Sequence, residues 1–469
     1  MTATTTLDSS TAHERDSTVR EPDVAALVLV WSPSDPVRVG EVLLPRADGE
    51  PAVFGRGAAD GSEPRVELRR QRPGRDEATA PIENPFLSRR HLVIAAEGGG
   101  IAIENLGKKP LLHDGEQAES ELIVRAGETI EIPGQAMFLC VDRPRLLPAV
   151  HGELGPFGDA DAHGIVGESA VAWELRDQCA RIGGLSAHVL ILGESGTGKE
   201  LAAQAIHASS ARAAKKLVAR NAATFPPGLI DAELFGNVAN YPNSGMPERR
   251  GVIGEADGST LFLDEIAEMP HELQSHLLRV LDAGEYNRLG EAQRRHADLR
   301  VVAASNRGPD ALKHDLAARL VLRLSMPSLN ARREDIPLLA RHLLRRHAKK
   351  DTPIAMRFFG GTEPRLSPGL IRALVSHRYT TNVRELDSFL LRALVASRGS
   401  SIELPDDIAG EIVRAHKPRL ATQPYTAEQI RAALDKHAGV REKVWRDLGM
   451  ANRYVLKRLM KKYGIGDDP

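Results

Sequence analysis

The sequence predicts a multidomain protein with an all-β sandwich first, an α/β unit with a helical lid in the middle and an all-α helix-turn-helix last. Three observations predict it. Short Val, Ile and Leu runs of strand length, divided by Gly, Pro and Asp, fill the first 142 residues after a polar tail. Strand-length and helical patterns then alternate, as a parallel sheet requires, around a glycine-rich turn at 193–200. The last segment is short, helical and locally basic, with twelve Lys and Arg against six Asp and Glu from Lys417 onward.

Taken in order, residues 1–22 are rich in Thr, Ser, Asp and Glu, without an apolar core segment, and read as a disordered tail and not a signal peptide. Residues 23–145 form the sandwich, with strands expected at 25–31, 37–44, 66–70, 92–95, 101–103, 129–132 and 137–141. A Pro-, Gly- and His-containing stretch, 146–163, reads as a linker. Residues 164–331 make the α/β unit and 332–415 its helical lid. A loose segment, 416–424, leads into 425–469, where three short helical patterns follow one another.

At 469 residues the chain is long enough for two to four cores that need no covalent staples. Cys140 and Cys179 are its only cysteines, far apart and without metal-ligand spacing, which favours a reducing compartment. No run is long and apolar enough to span a bilayer. A cytoplasmic protein without a membrane partner is therefore expected.

The chemistry concentrates in two places. Gly193-Glu194-Ser195-Gly196-Thr197-Gly198-Lys199-Glu200 joins an apolar strand, Val189–Leu192, to a helix. Glycines let successive backbone N–H groups face an anion, the helix adds its positive end, and Lys199 reaches the outer phosphates. ATP is the expected ligand. Farther on, the strand Thr260–Asp264 ends in the carboxylate pair Asp264-Glu265, one suited to Mg²⁺ and the other to polarising a water. Glu200 stands where such turns usually place a Ser or Thr that ligates the metal.

This turn, with Glu233-Leu234-Phe235-Gly236 and Leu261-Phe262-Leu263-Asp264-Glu265-Ile266, resembles the AAA+ module of bacterial enhancer-binding proteins, the activators of sigma-54 RNA polymerase. The likeness runs from about residue 164 to 415. It implies that Lys199 binds phosphates, Asp264 serves Mg²⁺, Glu265 activates water and Asn221 holds that glutamate in check. Asn306, after the strand 301–305, matches the sensor of the terminal phosphate, and Arg384 matches the second sensor in the lid. Arg319 matches an arginine presented to a neighbouring subunit's nucleotide, with Lys313 in place of a second one. A homo-oligomer, hexameric in the family, is implied.

Where that family carries the client loop Gly-Ala-Phe-Thr-Gly-Ala, this chain reads Asn240-Tyr241-Pro242-Asn243-Ser244-Gly245, followed by Met246-Pro247. Neither Phe nor Thr survives. Tyr241 and Met246 are the apolar candidates at its tip. Two readings stay open: remodelling of sigma-54 RNA polymerase, or a regulator whose ring acts on a different client or stands hydrolytically idle.

Phe54-Gly55-Arg56-Gly57 with Ser88-Arg89-Arg90-His91 resembles a forkhead-associated (FHA) domain, a reader of phosphothreonine proteins. The resemblance assigns phosphate contacts to Arg56 and Ser88, a further one to Arg89, and a propping role to His91; Lys109-Pro110 replaces the family's Asn-Gly pair. The C-terminal helices resemble the Fis-type helix-turn-helix. Asn452 and Arg453 are expected at base edges of DNA, with Tyr454, Lys457, Arg458 and Lys461 on the same face, the basic ones toward phosphates.

Overall fold

The computed structural model describes residues 22–58, 61, 63–150, 154–224, 229–416, 427–437, 439–448, 456, 460 and 463–465. The chain divides by its contacts into residues 1–405 and 406–469. Within the first part, strands β1 (Val24–Trp31), β2 (Val42–Leu43), β3 (Ala52–Phe54), β4 (Arg69–Arg72), β5 (Arg75–Ala78), β6 (Leu92–Glu97), β7 (Gly100–Asn105), β8 (Leu112–His113), β9 (Glu116–Gln117), β10 (Glu121–Val124), β11 (Thr129–Ile132) and β12 (Ala136–Arg143) build two facing sheets. One runs β5-β4-β2-β1-β12-β11-β8-β9, the other β10-β7-β6-β3. Leu27, Leu29, Phe54, Leu92, Ile94, Ile101 and Phe138 fill the space between them, with Phe54 edge-on to Phe138 at 5.8 Å between ring centres.

The expected strand at 37–44 is corrected: Pro36–Arg38 form a single 3₁₀ turn, Gly40 adopts φ 99°, and only Val42–Leu43 extend. Pro36 lacks the N–H a ladder needs, and a positive φ cannot continue a strand. The strand expected at 66–70 starts instead at Arg69 and turns back through Pro73-Gly74, with Gly74 at φ 67°.

A five-stranded parallel sheet follows, with helices on it. In chain order its elements are α1 (Ala170–Gly183), β13 (Val189–Leu192), α2 (Lys199–Ala208), β14 (Val218–Asn221), α3 (Ile230–Phe235), α4 (Gly251–Glu255), β15 (Thr260–Asp264), α5 (His271–Ala283), the small hairpin β16 (Glu285–Tyr286) and β17 (Arg295–His296), β18 (Arg300–Ser305), α6 (His314–Arg319) and β19 (Leu322–Ser325). The strand order is β14-β15-β18-β13-β19, all neighbours parallel. Leu261, Leu263, Val301 and Ala303 bury one face and Val189, Ile191, Val302 and Ala304 the other, which explains near-continuous apolar runs.

The lid comprises α7 (Ile336–Ala348), α8 (Thr352–Phe358), the hairpin β20 (Phe359–Gly360) and β21 (Glu363–Pro364), α9 (Pro368–Ser376) and α10 (Asn382–Ala396). It meets the sandwich directly. Trp31 Nε1 donates to the Leu366 carbonyl at 2.7 Å, Arg341 to the Pro36 carbonyl at 3.3 Å, and Arg372 to the Glu131 carboxylate at 3.0 Å. The outer face of β1 is therefore covered as well as its inner one. In the second part, α11 (Asp406–His416), α12 (Ala427–Lys436) and α13 (Arg441–Asp447) are helical, and Ile430, Ala433, Val444, Leu456 and Met460 form a small core.

Candidate nucleotide site

The parallel sheet sets the site at the carboxyl ends of its strands, where open α/β sheets bind ligands. β13 ends at Leu192 and the chain turns into α2. Gly196 at φ 77° and Gly198 at φ 95° hold left-handed conformations, and a Cβ on Gly196 would lie 2.2 Å from the Thr381 carbonyl. Only glycine fits between loop and lid there. Lys199 opens α2, and its Nζ donates to the carbonyls of Gly193 at 2.9 Å and Glu194 at 3.1 Å. Burial pulls its pKa down while Asp264 and Glu265 act against that shift.

β15 delivers the two carboxylates. Asp264 is its last residue, and burial raises its pKa against the Glu265 N–H, which donates to its Oδ1 at 2.9 Å, and the nearby Lys199. Glu265 takes φ 53°, a sharp left-handed corner that ends the strand. From the lid, Arg384 donates to Ser195 Oγ at 2.8 Å. Residues 195–200, Asp264, Glu265 and Arg384 thus line one cavity of about 360 Å³. Gly193 and Glu194 close the turn behind it. Ile165, Val166, Leu175, Leu339 and Leu343 give the same cavity its apolar lining.

Asn221 ends β14 beside Asp264 in register, and its Oδ1 accepts from the Ala223 N–H at 2.8 Å. Asn306 follows β18, on the other side of β15, and is exposed with no hydrogen bond among the described residues. Neither lines the cavity. Arg319, the last residue of α6, faces away from it, ion-paired with Asp282, and Lys313 Nζ donates to Ser275 Oγ at 2.5 Å.

Sequence reasoning missed several neighbours. Asn382, buried and at φ 52°, donates to Glu194 Oε2 and the Ser195 carbonyl, both at 3.0 Å, and accepts from the Leu329 N–H at 2.7 Å. It ties turn, hinge and lid together. An Asn at the first position of a helix and able to take a left-handed backbone was the available signal. Arg332, His342 and Arg346 line the cavity too, and nothing in their local spacing singled them out.

The segment aligned with the client loop leaves α3 and returns as a compact turn. The Asn240 N–H donates to the Met246 carbonyl and its Oδ1 accepts from the Gly245 N–H, each at 2.8 Å. Tyr241 is not free at the tip: its ring lies so near Gly290 that a Cβ there would be 2.6 Å from Tyr241 Cγ. Tyr241 is still 41% exposed, and Pro242, Asn243 and Ser244 beside it are exposed as well.

At one end of the sandwich the Arg56 N–H donates to the Ser88 carbonyl at 2.9 Å, and the Ser88 N–H donates to His91 Nδ1 at 3.1 Å. Gly55 has no room for a side chain, since a Cβ would lie 2.3 Å from the Arg89 carbonyl. Burial lowers the His91 pKa, so the ring is a neutral acceptor. Arg65, absent from the sequence expectation, donates to the Arg89 carbonyl at 2.8 Å and the Arg56 carbonyl at 3.3 Å, holding the two loops together. Asn105 supports the adjoining turn by donating to the Lys109 carbonyl at 2.8 Å. Asn452, Arg453, Tyr454, Lys457, Arg458 and Lys461 lie outside the described residues.

Among the described residues no helix is long and apolar enough to cross a membrane, and no group of three or more His, Cys, Asp or Glu is placed to hold a metal ion. Residues 165–330 match the sigma-54 interaction domain, and residues 330–423 match the AAA+ ATPase lid domain. The transcriptional regulatory protein ZraR of Salmonella typhimurium is 36% identical over 319 residues, which span 65% of this chain and 70% of that protein. The Nif-specific regulatory protein of Azotobacter vinelandii is 35% identical over 311 residues, 63% of this chain and 58% of that protein. A crystal structure of NtrX from Brucella abortus in complex with ATP is 30% identical, with a TM-score of 0.46 over 66% of this chain and 70% of that one.

Proposed function

The chain belongs to the family of sigma-54-dependent transcriptional activators with an AAA+ ATPase domain, and on that premise we propose an ATP-driven regulator that binds DNA and remodels sigma-54 RNA polymerase under control of a phosphothreonine-reading sandwich. The observation that carries it is the convergence of turn, paired carboxylates and lid arginine on one cavity. In this reading the triphosphate lies along the turn, and Lys199 exchanges two loop carbonyls for phosphate oxygens. The base packs on the apolar lining. A half-buried Asp264 beside Glu265 is a donor set that favours a divalent cation, so Asp264 would hold Mg²⁺, which neutralises phosphate charge. Glu265 takes the proton of the attacking water. Arg384 already reaches Ser195, so a bound phosphate would draw the lid closed through it.

Asn221 and Asn306 end the strands on either side of β15, which supports roles as glutamate switch and phosphate sensor once nucleotide is bound. The outward-facing Arg319 fits an arginine that acts on a neighbouring copy's nucleotide in a homo-oligomeric ring, hexameric by family analogy. For the sandwich, the converging loops of Arg56, Ser88 and Arg89, propped by His91, support phosphate reading. The basic C-terminal segment supports DNA binding.

A second reading concerns the client. Pro242 and Asn243 replace the family's Phe and Thr, and Tyr241 is held on Gly290, which favours a partner other than sigma-54 for the same motor. Capture of sigma-54 by the full chain, loaded with ADP and an aluminium fluoride transition-state mimic, separates them. A stable complex supports sigma-54; none, with hydrolysis intact, supports the other client.

A further inference from the structure

Two arginines of the sandwich reach into the frame of the nucleotide site, and nothing in the ATPase motifs accounts for them. Arg72, at the end of β4, forks onto the Glu168 carboxylate, Nε to Oε2 at 3.2 Å and Nη2 to Oε1 at 3.3 Å, and donates through Nη1 to the Gly155 carbonyl at 2.8 Å. Its guanidinium lies over the Trp173 ring at 5.0 Å. Arg143, at the end of β12 and fully buried, donates to the Glu168 backbone carbonyl at 3.3 Å.

Glu168 is itself 4% exposed, and its remaining acceptor sites are filled by the Gly158 N–H at 2.7 Å and Trp173 Nε1 at 3.1 Å. A buried carboxylate with this many donors has one allowed position. It begins a chain of contacts to the nucleotide cavity. The N–H groups of Glu168 and Ser169 both donate to Asp335 Oδ1, at 2.8 and 2.9 Å, and Ser169 Oγ donates to Oδ2 at 2.6 Å. Gly167, between Glu168 and the wall, has φ 139° and room for no Cβ, which would lie 2.4 Å from Asp335 Oδ2. Asp335 immediately precedes the lid's α7, its N–H donates to the Arg332 carbonyl at 3.0 Å, and Arg332 donates to the Val166 carbonyl at 3.3 Å. Gly164, Ile165, Val166 and Arg332 line the cavity.

We infer that Arg72 and Arg143 are positioning residues for the ATPase: through Glu168 they fix the 164–166 wall and its hinge to the lid, so that this one contact of the sandwich sets how tightly the nucleotide base is held. The inference rests on the proposed nucleotide site and adds a regulatory input to it. Because this wall meets the base end and not the phosphates, the effect is on affinity and falls equally on ATP and ADP.

The test is binding of fluorescent N-methylanthraniloyl ATP and ADP to the full chain, alongside steady-state kinetics. Arg72→Ala is expected to weaken both nucleotides by about three- to tenfold and to raise KM for ATP with kcat little changed, the scale of one charge-assisted contact acting indirectly. Arg72→Lys, which keeps the charge without the fork, falls between. Arg372→Ala removes a separate contact between sandwich and lid, to Glu131, and leaves nucleotide affinity unchanged. Unaltered affinity in Arg72→Ala overturns the inference, and so does equal weakening in Arg372→Ala, which makes docking as a whole responsible. A wild-type chain that binds neither nucleotide refutes the site itself.

Discussion

His91 illustrates how burial selects a charge state, and Lys199 how a cation is held in place for a task. Lys199 is held by two carbonyls of its own turn, an arrangement ready to be traded for phosphate oxygens without moving the helix that carries it. His91 is 4% exposed, and its folded pKa lies below the unfolded value of about 6.5 because burial penalises the imidazolium. The unfolded chain therefore binds more protons than the folded one below about pH 6.5, so the contribution to stability is complete above that value and is lost as pH falls toward the folded pKa. His188 and His342 are shifted the same way by burial and add to the trend. Thermal unfolding should show a midpoint that drops between pH 7 and pH 5, and His91→Gln, whose amide oxygen still accepts from Ser88, should flatten part of that drop. An identical pH profile in the variant would remove His91 from the account. Protonation also costs the Ser88 contact, so the loop that carries Ser88 loosens over the same range.

Elements differ in how far their sequence announced them. The turn after β13 and the carboxylates after β15 were legible because only glycine and paired acids suit those positions. The run 25–31 was legible as a strand, and its unbroken apolarity, with no polar alternation, matches a strand covered on both faces, one by the second sheet and one by the lid. What escaped was non-local. Asn382 and Arg332 belong to the site through contacts that span 188 and 166 residues, and no spacing rule reaches so far. The 240–247 segment was legible as a turn, but the placement of Tyr241 on Gly290 was not. Grafting Pro242→Phe together with Asn243→Thr restores the family's two contact side chains on exposed positions. The grafted chain should gain in capture of sigma-54 by transition-state-loaded protein, by about thirtyfold if each of the two contacts contributes on the order of 1 kcal/mol. No gain would show that the turn is not what contacts sigma-54.

Across the whole molecule, the residues of the motor are divided between surfaces. Lys199, Asp264, Glu265 and Arg384 share one cavity, whereas Arg319 stands on the outside, ion-paired with Asp282. On the proposed reading, a neighbouring copy supplies the Arg319 that one chain by itself keeps outside its own cavity. Activity should then rise more steeply than linearly with protein concentration as copies assemble. The sandwich adds its own hold through Arg72 and Arg143, so the β sandwich and the α/β unit meet at Glu168, next to the cavity wall. Phosphate release by the full chain across a concentration series, wild type against Glu265→Gln, decides whether this arrangement is a working ATPase. The expected result is a cooperative rise in wild type and a loss of about 100-fold or more in the variant, with ATP binding retained, as removal of a general base requires. Equal rates in the two proteins would contradict it.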